Sequence, residues 1–333
     1  MRTRKKGTEI QWLDRAKRAI AAGRLGAVIQ CGGRGRRVAA RQPKPLLIFP
    51  NGDRPLSNVI GDLPDTIQIY LHLLREEVPK YMEFLARNAG FGHKVSFLVQ
   101  QEDRLLQRQG SRLVPARYPD GTEVTASNGS ATFIRHFVKA PEFLALIDGA
   151  KVGIAPQDLA AGLAVLMRNK PLEAVVFTRA LQPAEIKREL RNRRESHTRY
   201  ARLNAEKQRV YEHPGPMPSH VVRSPRWVAL AGVYLVRSRA YERKTRRLRG
   251  ELKESESADT LFEGVAYHLK LAMTLRGYNG RRSGLSFTCF TPKWYVPGIK
   301  THLDIRHYPK WVKKGVFAYR DEPDYHCGAP AQR

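Results

Sequence analysis

Cysteine is scarce in this chain: Cys31, Cys289 and Cys327 are the only three in 333 residues, and no CxxC pair occurs. An odd and widely spaced set excludes a disulfide framework and a thiolate zinc site, and it suits a reducing, cytoplasmic setting. Long apolar runs are also missing. No stretch of 18 or more apolar residues exists and no charged-then-apolar leader opens the chain, so neither a spanning helix nor a membrane partner is expected. The G-x-G-x-x-G dinucleotide fingerprint is absent, as is a Gly-Lys-Ser/Thr P-loop. There is no RNP-type aromatic run and no zinc-finger spacing.

Acidic residues are few beside basic ones. Fifty-nine Lys and Arg against 31 Asp and Glu leave a net charge of +28. Such an excess draws polyanions through its long-range field. The charge clusters at residues 2–6, 187–194 and 239–253. The last two clusters read as helices with cations on several faces, which fits a solvated surface better than a nucleic-acid groove. Nucleic acid stays open as a partner but is not favoured. Oligomeric state is not readable.

At 42% hydrophobic, the chain can bury a substantial core. Strands are predicted at 27–31, 95–100, 152–156, 174–178 and 227–236, and helices at 66–88, 130–139, 159–168, 183–195 and 258–275. This alternation predicts an α/β fold with a mixed, mostly parallel sheet flanked by helices. A basic helix over 1–25, one domain over 26–315 and a tail over 316–333 is the expected division.

The most informative segment runs from Ala27 to Leu47. A short apolar strand enters a turn containing Gly32, Gly33 and Gly35, followed by Arg36, Arg37 and then Lys44 between two prolines. Glycines let a phosphate chain come close to backbone N–H groups, and the cations behind them can neutralise its charge. A plain tight turn is the competing reading. The order strand, Gly-Gly-x-Gly-x-Arg, Pro-Lys-Pro-Leu resembles the sugar-1-phosphate nucleotidylyltransferases, or sugar-nucleotide pyrophosphorylases. Arg36 stands where that family has threonine.

The resemblance implies a Rossmann-like, GT-A-like nucleotidyltransferase fold and extends along residues 25–312. The segment from Val152 to Asp158 is similar to the family strand closing on a metal-binding aspartate, which would make Asp158 a Mg²⁺ ligand; a helix N-cap is the alternative. Glu212 would accept hydrogen bonds from sugar hydroxyls, and Gly232 would let the sugar lie against the backbone. Asp304 sits in a weakly similar segment as the second metal ligand. Gln100 and Gly121, with the Asn128 to Ser130 segment, resemble the pyrimidine-holding positions of the UDP-sugar branch. A glutamine offers a donor and an acceptor to a base edge.

The implied reaction joins an NTP, with UTP favoured, to a sugar 1-phosphate and releases pyrophosphate. Arg37 would bind the departing group, Lys44 would steady the transferred phosphate, and Mg²⁺ would be the cofactor. Two other readings remain: a nucleic-acid-binding protein on the same scaffold, and a catalytically weak nucleotide-sugar-binding relative.

Overall fold

The computed structural model describes residues 2–32, 43–48, 52, 54–150, 154–179, 202–211, 221, 224, 226–248, 250–256, 262–278 and 284–292. The chain opens with α1 (Arg2–Ala21), β1 (Leu25–Gln30), α2 (Pro55–Gly61), β2 (Gln68–Leu73), α3 (Val78–Arg87) and β3 (Val95–Val99). Four short strands follow: β4 (Glu102–Arg104), β5 (Leu106–Gln109), β6 (Arg112–Pro115) and β7 (Thr125–Ser127). Then come β8 (Phe143–Asp148), α4 (Pro156–Arg168), β9 (Ala174–Arg179), β10 (Arg202–Asn204), β11 (Arg209–Tyr211) and β12 (Val228–Arg237). The last elements are α5 (Ser238–Thr245), β13 (Glu251–Glu256), β14 (Glu263–His268) and β15 (Phe287–Phe290).

The main sheet runs β11-β10-β12-β8-β1-β2-β3, and β9 joins β12 to β15. β8, β1, β2 and β3 are mutually parallel, while β12 is antiparallel to β8 and β9. The chain builds outward from β1 through β2 to β3, then returns to β8 on the opposite side of β1. That reversal leaves a crevice at the carboxyl end of β1, where α/β sheets hold their ligands.

Each central strand is buried on both faces, so its sequence is continuously apolar rather than alternating. Leu25, Ala27 and Ile29 pack beneath α1 to α4, against Ala16, Leu56, Tyr81 and Leu163. Val28, Leu144 and Leu146 face the other way, against Phe133, Tyr241 and Met273. A four-stranded sheet, β13-β14-β5-β6, lies apart from the main one.

Several expected elements differ from those observed. The helix read over 66–88 is a strand, β2, followed by α3. Its run Ile69 to Leu73, apolar but for His72, is buried on both faces, and Pro79 sets the first turn of the real helix. The helix read over 258–275 is β14 and a 3₁₀ turn at Leu271–Thr274 where described. The segment 130–139 holds a 3₁₀ helix, Thr132–His136. In place of a strand ending at 156, Ile154 and Ala155 lead into α4, opened by Pro156. The helix read over 183–195 lies outside the described residues. No described helix is long and apolar enough to cross a membrane.

The approach to α4 is pinned from a distance. Asp62 Oδ2 accepts the Ile154 backbone N–H at 3.0 Å, and burial raises the Asp62 carboxyl to about 6. A carboxyl raised in the folded state favours folding below its unfolded value near about 4, and that contribution is lost as pH rises through 6. Asp62→Asn keeps an acceptor for Ile154 without the charge. Urea midpoints measured from pH 4 to 7 should therefore favour the variant progressively over the parent, with the difference levelling off above 6. A parent-minus-variant difference that is flat with pH would show that Asp62 carries no such penalty.

Candidate functional site

Strand pairing continues past the end of β1. The N–H groups of Cys31 and Gly32 both donate to His72 O, at 2.8 and 3.0 Å. The Gly32 N–H is thus engaged in the sheet, and any free N–H groups of the turn must come from beyond it. What Gly32 supplies is space. A β-carbon there would lie 2.1 Å from Gln100 Nε2 and 2.8 Å from its Cδ, so the Gln100 amide rests directly on the bare Cα. Gln100 is buried, and Ser127 Oγ donates to its Oε1. The expected pair Gly32 and Gln100 are therefore brought into contact.

Across β1, β8 ends in Asp148, which is the register partner of Gln30. Gly149 N–H donates to Gln30 O at 2.9 Å, and Asp148 Oδ1 accepts Ala150 N–H at 3.0 Å. The carboxylate is thereby held at the carboxyl edge, level with the last residue before the glycine turn. Gly232 abuts it from β12: a β-carbon at Gly232 would lie 3.1 Å from Asp148 Cβ. Gly232 has φ +74, within a register shift between Leu230 and Tyr234. That conformation strains any residue with a side chain. The 3₁₀ turn Lys44–Leu46 closes the other flank, with Pro45 Cγ 3.1 Å from a β-carbon built on Gly149. Lys44, half-buried, is thus carried next to the Asp148 strand end.

Asp148 was missed in the sequence because two segments end in aspartate ten positions apart. The signal was present: Phe143 to Ile147 is an unbroken apolar run, whereas the Asp158 segment carries Pro156 two positions earlier. Asp158 is buried in the first turn of α4, where its charge suits the helix dipole. The N-cap of α4 is Ala155. Gly121 occupies an exposed turn closed by its own N–H on Tyr118 O, at 2.9 Å, and contacts none of the residues above. Gly33, Gly35, Arg36, Arg37, Glu212 and Asp304 lie outside the described residues.

Two groups behind the turn are buried. His72 Nδ1 pairs with Gln30 Oε1 at 2.9 Å, and burial together with His136 lowers the imidazole to about 3. The ring is neutral, and because a carbonyl oxygen only accepts, Nδ1 carries the proton. Gln30 Nε2 is buried with no hydrogen-bond partner among the described residues. The Cys31 thiol is fully buried, and burial pushes it far above its ordinary value. Beside Gln100 opens a pocket of about 470 Å³ lined in part by Arg75, Asn128, Arg135 and His136.

Among the described residues no three His, Cys, Asp or Glu side chains gather into a metal cage. One carboxylate at the sheet edge matches instead the demand of Mg²⁺ bound chiefly through phosphate oxygens and water.

The sequence matches no family model and no curated protein. The fold matches solved structures. A protein assigned as UDP-N-acetylglucosamine pyrophosphorylase from Entamoeba histolytica aligns with TM-score 0.64 at 9% identity, over 93% of this chain and 86% of that one. The uridine diphosphate N-acetylglucosamine pyrophosphorylase of Trypanosoma brucei, in complex with an inhibitor, gives 0.58 at 11% identity, over 92% and 68%. A protein assigned as glucose-1-phosphate thymidylyltransferase from Bacillus anthracis, in complex with sucrose, gives 0.52 at 13%, over 87% and 95%. The nucleotidyltransferase-type fold is shared.

Gly232→Ala should lower unfolding free energy by about 1–2 kcal/mol through the left-handed backbone alone, with a further loss from the Asp148 contact. Chemical denaturation measures it. A variant as stable as the parent would mean that β12 relaxes at the shift without cost.

Proposed function

We propose that the chain transfers a nucleotidyl group from an NTP, with UTP favoured, to a sugar 1-phosphate and releases pyrophosphate. One observation carries the reading: Gly32, Asp148, the Lys44 turn and Gly232 meet at the carboxyl edge of β1 and β8. The fold likeness to proteins named for this chemistry supports it.

In this reading an oxygen of the sugar phosphate attacks the α-phosphorus in line. The new P–O bond forms as the bond to the pyrophosphate oxygen breaks. No side-chain nucleophile is needed, so catalysis is positioning and charge neutralisation in a preorganised site. Gly33 and Gly35 approach the phosphates, while Gly32 seats Gln100 at the base. Arg37, with Arg36, holds the leaving pyrophosphate, and Lys44 steadies the transferred phosphate. Glu212 and Gly232 face the sugar. Asp148 would hold Mg²⁺, which supplies charge neutralisation on the triphosphate. Asp158 and Asp304 are the other two carboxylates to be tested for that role.

A pyrophosphate-release screen of NTP and sugar 1-phosphate pairs with Mg²⁺ tests the reaction, and no turnover by any pair would sink it. Lys44→Ala should raise the barrier by about 2–4 kcal/mol, roughly 30- to 900-fold in rate, if it stabilises developing charge. Asp148→Asn should cost about 100-fold or more, and Asp158→Asn far less. The reverse ranking would return the metal to Asp158.

A further inference from the structure

We infer that the cavity between the Lys44 turn, α2 and α3 is a binding site for a small phosphomonoester, and that its occupant braces the Lys44 turn from behind. The site stands without the nucleotidyl-transfer reading; its effect on catalysis rests on that reading.

The turn has a neighbour on either side. Pro45 seats against Gly149 at the sheet edge, whereas Pro43 and Leu46 line a cavity of about 550 Å³ whose lining includes neither Asp148, Gln100 nor Gly232. A space of this size suits a small-molecule ligand and exceeds what a bare phosphate fills. Leu46 and Phe84, both buried, give it an apolar floor on which the uncharged body of an ester can rest.

The polar wall is basic. Arg54, Lys80 and Arg87 line the cavity against one carboxylate, Glu83, among the described residues. Lys80, Glu83 and Arg87 recur at helical spacing, so one stripe of α3 carries the charge while Tyr81 and Leu85 enter the core. Glu83 and Arg87 pair with each other. No described carboxylate pairs with Arg54 or Lys80, and their two charges match the nearly double negative charge of a phosphomonoester at neutral pH.

Arg54 ties the cavity to the turn. It precedes Pro55, which disfavours helical backbone there, and it sits extended as the N-cap residue of α2, with φ −129 and ψ 144. Its Nη1 donates to Leu46 O at 2.8 Å, and its guanidinium carbon lies 5.2 Å from the Phe84 ring centroid. Most of its N–H donors remain for phosphate oxygens while the Leu46 bond is kept. Ser57, on the first turn of α2, adds a neutral donor. Because one guanidinium would hold both the ligand and Leu46 O, binding favours the state in which the Lys44 turn is fixed. By linkage, whatever needs Lys44 in place then binds better too.

A merely solvated basic rim, with Arg54 only joining α2 to the turn, predicts no saturable binding. Calorimetry with glucose 6-phosphate and with inorganic phosphate decides, on the parent, Lys80→Ala, Arg54→Gln and Lys44→Ala. The parent should bind glucose 6-phosphate saturably and inorganic phosphate about tenfold more weakly. Lys80→Ala should weaken glucose 6-phosphate binding by about tenfold and Arg54→Gln by more, while Lys44→Ala stays within about threefold of the parent. Lys80 is exposed, so its variant decides alone should Arg54→Gln not fold. The Leu46 and Leu47 amides, which donate to Pro43 O and Lys44 O, should exchange hydrogen about fivefold more slowly with glucose 6-phosphate bound. The KM for UTP should fall by a similar factor in the parent but not in Lys80→Ala, whose rate without glucose 6-phosphate should equal the parent's.

No saturable binding by the parent overturns the site. So does binding that survives in Lys80→Ala and is lost in Lys44→Ala, which would place the phosphate at the transfer centre instead. Inorganic phosphate bound as tightly as glucose 6-phosphate overturns the assignment of an ester, and unchanged exchange at Leu46 and Leu47 overturns the bracing. Lys80-dependent binding with slowed exchange, in a chain that releases no pyrophosphate with any pair, would keep this inference and remove the transfer reaction.

Discussion

The parallel register of β1 with β8 is the constraint on which the rest depends. It is fixed residue by residue from Leu25 on Phe143 to Gln30 on Asp148, and the Gly149 N–H on Gln30 O closes it. A slip of β8 by one residue would turn Asp148 to the other face, and a slip of β1 would bury Gln30 among α1 and α4. Because both strands are buried on both faces, a slip would also expose the apolar series of one of them to a mismatched layer. The same packing that makes the core therefore fixes a carboxylate beside the end of β1 that leads into Gly32.

Around that pair, each flank is seated by an absence of side chain. Gly149 admits Pro45 and with it the lysine turn. Gly232 admits Asp148 from the antiparallel strand, and Gly32 admits Gln100 from the far edge. Three segments distant in sequence can converge only because their meeting points have no β-carbon. The polar atoms left at the convergence are oriented by internal partners, Ala150 for Asp148, Ser127 for Gln100 and His72 for Gln30. Preorganisation of this kind lowers the reorganisation needed when charge moves.

The architecture was legible where pattern and length agreed. β1, β9, β12 and α4 lie within a few residues of their predicted bounds, since apolar runs of strand length and an amphipathic run of helix length are hard to read otherwise. The 66–88 segment was not, because a strand buried on both faces has no alternation to separate it from helix, and the true helix followed after a 3₁₀ turn. At the candidate site, Gly32 was singled out by its glycine-dense turn and Gln100 and Gly232 by the family resemblance, and the structure adds what each touches. Asp148 follows an unbroken apolar run that was overlooked in favour of the Asp158 segment, and its pairing with β1 is what the structure adds. Gln30 gave no signal at all: a single polar residue at a strand end acquires meaning only once His72 is opposite it.

The Cys31 thiol, directly after β1, is fully buried and burial holds it protonated, while the Cys31 backbone carbonyl accepts from Tyr81 Oη at 3.2 Å. Reactivity of a thiol follows its thiolate fraction and its access. Both are suppressed here, so peroxide and alkylating reagents should reach this sulfur only when the fold opens. Labelling of Cys31 then becomes a clock for opening of the β1 edge, reporting how often the turn and the sheet part company.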